Sequence, residues 1–459
     1  MKRKVLALAL AGAMVCSFAG CGSSASSEAP AAETAAASGE AAPAAEEEAA
    51  PAAADGEAVT IKLLHFKTEV ADQIEDAAKA YTAEHPNVTV AVTCSSDYNA
   101  DLKAAMSSSD MPTIYCLDGP EDLKEWDGYV EDLSAEPWVD SVFDGYLDNM
   151  TKDGKIYGLP MTVEGYGFIY NKAMFEAAGV DLTTCQTVED FDAAFGTLKE
   201  KIDAGELADE FPALTSVVSF PVGEGWVPGL HTSNIFLAAE FDGDVTAASA
   251  GSIEFKYADD FKKLVDLQVK YTEFADDPTA LNAVDYSAQV SALITESCAV
   301  IQQGNWVASE VMNADPDLFE KLDMVAMPIT EGYNGKLPVG VNTNLCVNAK
   351  ADAAQIAAAK DFLTWLYTSE TGKDFVYNQF GFIPVMSGYE DFEITNPLIK
   401  AIMNYSADGN TINWVISAYP SGWSDGVCGM NIQKYIGGQE SWEDGIADDV
   451  AQWSALAAQ

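Results

Sequence analysis

Two hydrophobic periods share the chain. From Val59 polar and apolar side chains alternate, then turn fully apolar at Leu63-Leu64, the pattern of a strand entering a buried sheet. Ile74, Ala77, Ala78 and Tyr81 recur at helical spacing, and His85-Pro86-Asn87 stops that helix. Val88 to Thr93 predicts a second strand, Leu102, Ala105 and Met106 a second helix, and Met111 to Leu117 a third strand ending at Asp118-Gly119. This βαβαβ order predicts a parallel sheet with helices on its faces, and such sheets bind ligands at the carboxyl ends of their strands. The loops 65–70, 94–99 and 118–121 are therefore candidate ligand loops. Further on, Ser287 to Thr295 reads as a helix and Cys298 to Gln302 as a strand leading to Gly304-Asn305-Trp306. Asp352, with Gln355 three residues on, opens a helix carrying Ile356, Ala359, Leu363, Leu366 and Tyr367, with Trp365 a core residue on the same helix. The end, from Ile432 to Leu456, is helical with a break at Gly437-Gly438.

The first residues follow neither period. Met1 to Lys4 is cationic, and Val5 to Val15 is an uncharged, mostly apolar run, too short to span a bilayer but suited to a secretory leader. Ser17-Phe18-Ala19-Gly20-Cys21 resembles a bacterial lipobox, with Phe18 where leucine is usual. The resemblance implies a signal peptide over 1–20 and lipidation of Cys21. Acylation with more than one chain anchors stably, where one chain binds marginally. Residues 22–58 are almost entirely Ala, Ser, Pro, Gly and Glu, with no basic or aromatic residue, so 21–58 is expected to be a disordered acidic tether.

Charge narrows the function. The 459 residues hold 24 basic and 72 acidic side chains, a net charge of −48, which argues against a nucleic-acid binder. The 48% of hydrophobic residues is enough for a large core. Six cysteines remain after the leader, at 94, 116, 185, 298, 346 and 428. None is spaced for a zinc ribbon or redox pair, and buried free thiols or one disulfide are both open. Three scattered histidines give no metal site. There is no phosphate-binding Gly-x-x-x-x-Gly-Lys loop, no Gly-x-Ser-x-Gly elbow and no His-Glu-x-x-His, so no cofactor, metal or catalytic residue is expected. Asp242-Gly-Asp244 departs from a calcium loop at its sixth and twelfth positions.

Several segments resemble the bacterial extracellular solute-binding proteins of family 1, the carbohydrate-binding lipoproteins of ABC importers. They are Gly154-Lys-Ile-Tyr-Gly-Leu-Pro160, Val163 to Lys172, Phe175 to Gly179, Val300 to Trp306, Met327-Pro-Ile with Gly340-Val-Asn342, Ala358 to Leu366, Gly381 to Pro384, and Gln433 to Gln439 before Trp442-Glu443. Val163 to Asn171 is similar to the raffinose-type oligosaccharide binders. The resemblance implies an α/β, two-lobe periplasmic-binding-protein-like fold with three hinge crossings and a ligand cleft between the lobes. One lobe would take 59–161 and 329–382, the other 163–327 and 386–459, with crossings near Met161-Thr162, Pro328 and Ile383-Pro384. It implies a monomer on the extracellular face of the cell membrane, handing a neutral oligosaccharide to permease subunits served by a separate ATPase. Other classes weighed are a sugar-sensing or adhesive lipoprotein and an anchored glycoside hydrolase; a polyamine or other cation is a variant ligand.

A sugar offers hydroxyl edges and apolar C–H faces, so its site needs aromatic rings beside carboxylates and amides. Trp306, past a strand end, matches the stacking tryptophan of the family. Trp226 and Trp423 lie in irregular stretches, which favours a cleft position over core packing. Glu164 directly follows the first crossing, where the resemblance implies a hydroxyl-binding acid. Glu69 follows the first strand, and Asp118 ends the third beside a glycine. Asp425 and Asn342 complete the candidate set. Crowded carboxylates would repel an anionic ligand, which favours a neutral one.

Cys21→Ser is expected to release the protein into the medium with its ligand binding intact. Fractionating cells and assaying the medium checks this, and retention of the variant on membranes would count against the anchor.

Overall fold

The computed structural model describes residues 57–143, 145–249 and 251–458. The leader and nearly all of the tether, Cys21 included, lie outside the described residues. The chain builds two main sheets, with strands β1 (Val59–His65), β2 (Val88–Cys94), β3 (Ile114–Leu117), β4 (Leu159–Pro160), β5 (Val163–Asn171), β6 (Ser216–Ser219), β7 (Cys298–Gly304), β8 (Leu322–Val325), β9 (Leu337–Val341), β10 (Asn344–Val347) and β11 (Thr411–Asn413).

The first sheet runs β2-β1-β3-β10-β4. β1 lies parallel to β2 and β3, the βαβαβ arrangement expected from the sequence, while β10 joins both β3 and β4 antiparallel. The helix Ala71–Glu84 packs Ile74, Ala77, Ala78 and Tyr81 inward, the residues of its helical stripe. Asp352 and Gln355 form a reciprocal cap on the helix Ala353–Thr368, and Trp365 is buried there with Nε1 donating to Glu84.

The second sheet runs β11-β9-β5-β7-β6, with β8 also paired to β5. β5 is buried at all nine positions because core packs on both of its faces. Its glycines admit that crowding. A Cβ on Gly167 would collide with the Val325 carbonyl, and one on Gly165 would meet Ile402 at 2.8 Å.

One expectation is corrected. The family resemblance places residues 329–341 in the first lobe, with a crossing near Pro328. The strand Leu337–Val341 instead pairs antiparallel with β5 and parallel with β11, so it belongs to the second sheet. The chain changes sheet at Asn342-Thr343, immediately before β10. The Met327-Pro328 sequence signals a strand end, which is not by itself a change of sheet. At the other junctions, the chain passes from β4 to β5 through Met161-Thr162, and Thr162 Oγ1 accepts from Ile383 N–H at 3.0 Å. All six described cysteines carry free thiols.

Among the described residues the core holds one buried acid, Asp449, without a basic partner. Asp449 is 1% exposed, accepts from Asn431 Nδ2 at 2.8 Å, and has its pKa pushed up to about 7, first by burial, with Asp448 and Glu440 adding repulsion. In the unfolded chain it titrates near 4. The unfolded state therefore loses this proton first, and stability falls as pH rises from about 4 to about 7, then levels off. Asp449→Asn keeps an acceptor for Asn431 and removes the titration. The variant should flatten that slope and gain on the order of 2–4 kcal/mol at about pH 8, as read by urea unfolding across pH.

Candidate functional site

The site forms where the two sheets meet. β1 ends at His65, and the chain turns back on itself as Lys67 N–H donates to His65 Nδ1 at 3.2 Å. That turn sends Lys67 into the junction. Its Nζ lies 2.5 Å from Glu164 Oε1 and 3.5 Å from Glu69 Oε1, and Asn342 Nδ2 donates to Glu164 Oε2 at 2.7 Å. The Lys67 and Glu164 side chains are 4% and 3% exposed. Glu164 stands on the second residue of β5 and Asn342 between β9 and β10, so the pair ties the first sheet to the chain segments that leave it.

Burial opposes a charge on Lys67, but the Glu164 and Glu69 carboxylates outweigh it and hold the ammonium above its usual range. Burial raises the Glu69 carboxyl; Lys67 offsets part of this and Glu164 adds to it. His65 and His231 are driven down to about 4 and about 3, first by burial and then by Lys67, so both imidazoles are neutral. His65 accepts at Nδ1, which leaves the proton on Nε2, a buried donor without a protein partner among the described residues.

An aromatic wall stands beside the ion pair. Trp306 follows β7 with its ring lying over Gly304, where any side chain would collide with it. Its Nε1 donates to Gln303 Oε1 at 2.9 Å, and Gln303 in turn donates to Gln289. The ring sits 5.0 Å from His231 and 6.4 Å from Trp226, and Trp226 sits 5.8 Å from Tyr286. Tyr286 is held between two acids: its hydroxyl donates to Glu310 at 2.7 Å and its backbone N–H to Glu224 at 3.1 Å. Burial raises the Tyr286 hydroxyl, and Glu310, Glu69 and Glu164 raise it further, so ion pair and wall share one electrostatic environment.

Trp226 opens a wide π-helical turn, Val227–Thr232, that crosses a second one, Ser424–Gly429. Wide turns of this kind concentrate at functional sites. The crossing needs glycine on both sides. A Cβ on Gly229 would strike the Ser424 carbonyl, and one on Gly429 would stand 2.5 Å from the Gly225 carbonyl. Asp425 is thereby brought to Gly225 and Glu224; its side chain keeps contact with solvent, yet the surrounding protein and then Glu224 raise its carboxyl.

Asp118 lies at the end of β3, on the other side of the junction. Its side chain keeps contact with solvent, yet the surrounding protein and the Asp122 carboxylate push it up to about 7. The next residue, Gly119, abuts Ser417, and a Cβ there would be 2.6 Å from the Ser417 Cβ. With Ser309 Oγ donating to the Glu69 carbonyl at 3.4 Å, the loops after β1 and β3 both touch elements of the second sheet.

Of the sequence candidates, Glu69 and Glu164 converge on Lys67 and Asn342 bonds Glu164, while Trp306 and Trp226 share the aromatic wall. Asp425 borders the wall at Glu224, and Asp118 stands apart beside Asp122. Trp423 is corrected. It is 0% exposed, packs on Phe255, Tyr419 and Trp453, and donates Nε1 to the Asp449 carbonyl at 2.8 Å. The irregular sequence around it forms a wide turn that folds its ring into the core. Sequence reasoning passed over Lys67, although it lies in a loop singled out for ligands; only acids and aromatics were weighed there. Nothing in the local sequence marks His231, Tyr286 or Gln303.

Residues 76–407 match the family described as bacterial extracellular solute-binding protein, and the chain belongs to that family. It is 23% identical to the multiple sugar-binding protein of Streptococcus mutans over 325 residues, 68% of this chain and 72% of that protein. Its fold is similar to a chitin oligosaccharide binding protein at 22% identity, with a TM-score of 0.71, over 88% of this chain and all of that one. It is likewise similar to the solute-binding protein RafE in complex with raffinose, at 17% identity and a TM-score of 0.70, over 87% of this chain and all of that one.

Lys67→Ala would leave two buried carboxylates without their ammonium. Breaking a buried pair from one side costs about 3–5 kcal/mol. Adding Glu164→Gln should restore a large part of that loss, because the partner charge goes too. Chemical denaturation of both single variants and the double variant checks this, and an additive cycle would deny the coupling.

Proposed function

We propose that this protein is the lipid-anchored substrate-binding component of an ABC importer, capturing a carbohydrate where its two halves meet and delivering it to permease subunits. The observation that carries the reading is the aromatic wall of Trp306, Trp226 and Tyr286 set directly beside a cluster of carboxylates and an amide. Rings cover the C–H faces of a sugar while acceptors take its hydroxyl protons. The relatives are named for sugars, which agrees with this chemistry.

The parts divide as follows. One lobe comprises 59–161 and 343–382, and the other 163–341 and 386–458; they hinge at the junction segments and close on the ligand. Trp306 and Trp226 stack on the sugar. Glu69, Asp118 and Asp425 present acceptors, and Glu164, saturated by Lys67 and Asn342, fixes the floor of the cleft. Cys21 anchors the chain at the extracellular face, and the acidic tether gives the folded body its reach.

Trp306→Ala should weaken oligosaccharide binding by about 1–3 kcal/mol, roughly ten- to a hundredfold, with little change in melting temperature. Trp423→Ala supplies the contrast: as a large core residue it should cost about 3–5 kcal/mol of stability. Calorimetric titration and thermal melting of both variants decide. Normal sugar binding by Trp306→Ala would sink the stacking assignment.

A further inference from the structure

We propose that the preferred ligand is an oligosaccharide bearing a protonated amine, an amino sugar whose ammonium rests between the Glu69 carboxylate and the aromatic wall. The proposal rests on the carbohydrate reading above and narrows it, replacing the neutral sugar expected from the sequence.

Glu224 and Glu310 bond Tyr286 of the wall, Asp425 adjoins Glu224, and the charges of Glu69 and Glu164 reach the Tyr286 hydroxyl; the only cation among the contacts described there is Lys67. The two neighbouring histidines are neutral and offset none of that charge. Lys67 gives its close contact to Glu164, at 2.5 Å, and stands 3.5 Å from Glu69. Among the described residues no other side chain donates to the Glu69 carboxylate. It is a largely buried acid, 12% exposed, held only by that longer Lys67 contact and by its own backbone N–H. Asn342 Oδ1, on the residue that bonds Glu164, is a buried acceptor with no donor among the described residues. Unpaired acceptors in a buried setting are costly unless a ligand or water supplies the donor.

The aromatic wall points independently to a cation. Ring faces are electron-rich and attract ammonium groups, most strongly where water is excluded. Lys67 already shows the arrangement in miniature, with its Nζ between two carboxylates and 5.4 Å from the Phe66 ring centroid. A ligand ammonium would repeat that environment one step further into the cleft, with Glu69 on one side and Trp226 and Tyr286 on the other. A hydroxyl could fill the same place but would leave the excess negative charge uncompensated.

Calorimetric titration of the whole protein at about pH 6.5 with the glucosamine trimer and its fully N-acetylated counterpart tests this, because acetylation removes the charge and keeps the sugar. The expected result is about tenfold tighter binding of the amine trimer, the scale of a charge-assisted hydrogen bond. The preference should shrink as salt is added. In Glu69→Gln, whose folding is checked by melting, the ratio between the two trimers should drop to about twofold. Equal binding of both trimers, or tighter binding of the acetylated one, overturns the proposal and leaves the carbohydrate reading intact. So does binding of raffinose or stachyose with neither trimer bound. Binding of spermidine with no sugar bound at all overturns the carbohydrate reading and this proposal together.

Discussion

The architecture of the site depends on a single ammonium shared between acids. Lys67 is sealed at the junction of the two sheets, and only a carboxylate at 2.5 Å makes a buried charge tolerable there. Glu164 can supply it because β5 starts at that point, and it is held in place because Asn342 bonds its other oxygen. The three residues come from three separate parts of the chain. Their mutual satisfaction fixes where the first sheet ends, where β5 begins, and where the chain returns to β10. The same ammonium helps to keep His65 and His231 neutral, so the aromatic wall beside it remains uncharged.

Around that point the cleft is built by close backbone approach rather than by bulk. Gly304 lets the Trp306 ring fold over its own strand, and the glycine-to-glycine crossing of two wide turns brings Trp226 and Asp425 to the same rim. Two aromatic residues of the wall are then oriented by polar partners, Trp306 by Gln303 and Tyr286 by Glu310. These are side chains locked before a ligand arrives, which lowers the ordering cost of binding.

Much of the fold was legible because local periodicity and tertiary role coincide. The β1-to-β3 alternation and the reciprocal cap at Asp352 and Gln355 are short-range patterns, and the structure repeats them. The second change of sheet was misplaced because strand membership is decided by long-range pairing. Leu337–Val341 reads as a strand in either sheet, and only its register against β5 settles the matter. The site was legible in part for the same reason. Trp306 and Glu164 lie next to strand ends, where sequence position limits orientation. Trp423 lies in a wide turn, and nothing local to Tyr419–Asp425 shows that the turn rolls its ring onto Trp453. Lys67 was missed because the solvent-seeking reading of a loop lysine is the usual one; its burial follows from an acid 97 residues away.

The full enclosure of β5 has a kinetic side. A strand with core on both faces and hydrogen-bonded neighbours along both edges gives up its amide protons only when the whole domain opens. The turn from Phe66 to Val70 has no such neighbours and is secured to the second sheet through Lys67 and Ser309. The amides of the strand carrying Glu164 are therefore the slower to exchange, and those of the turn carrying Lys67 the faster.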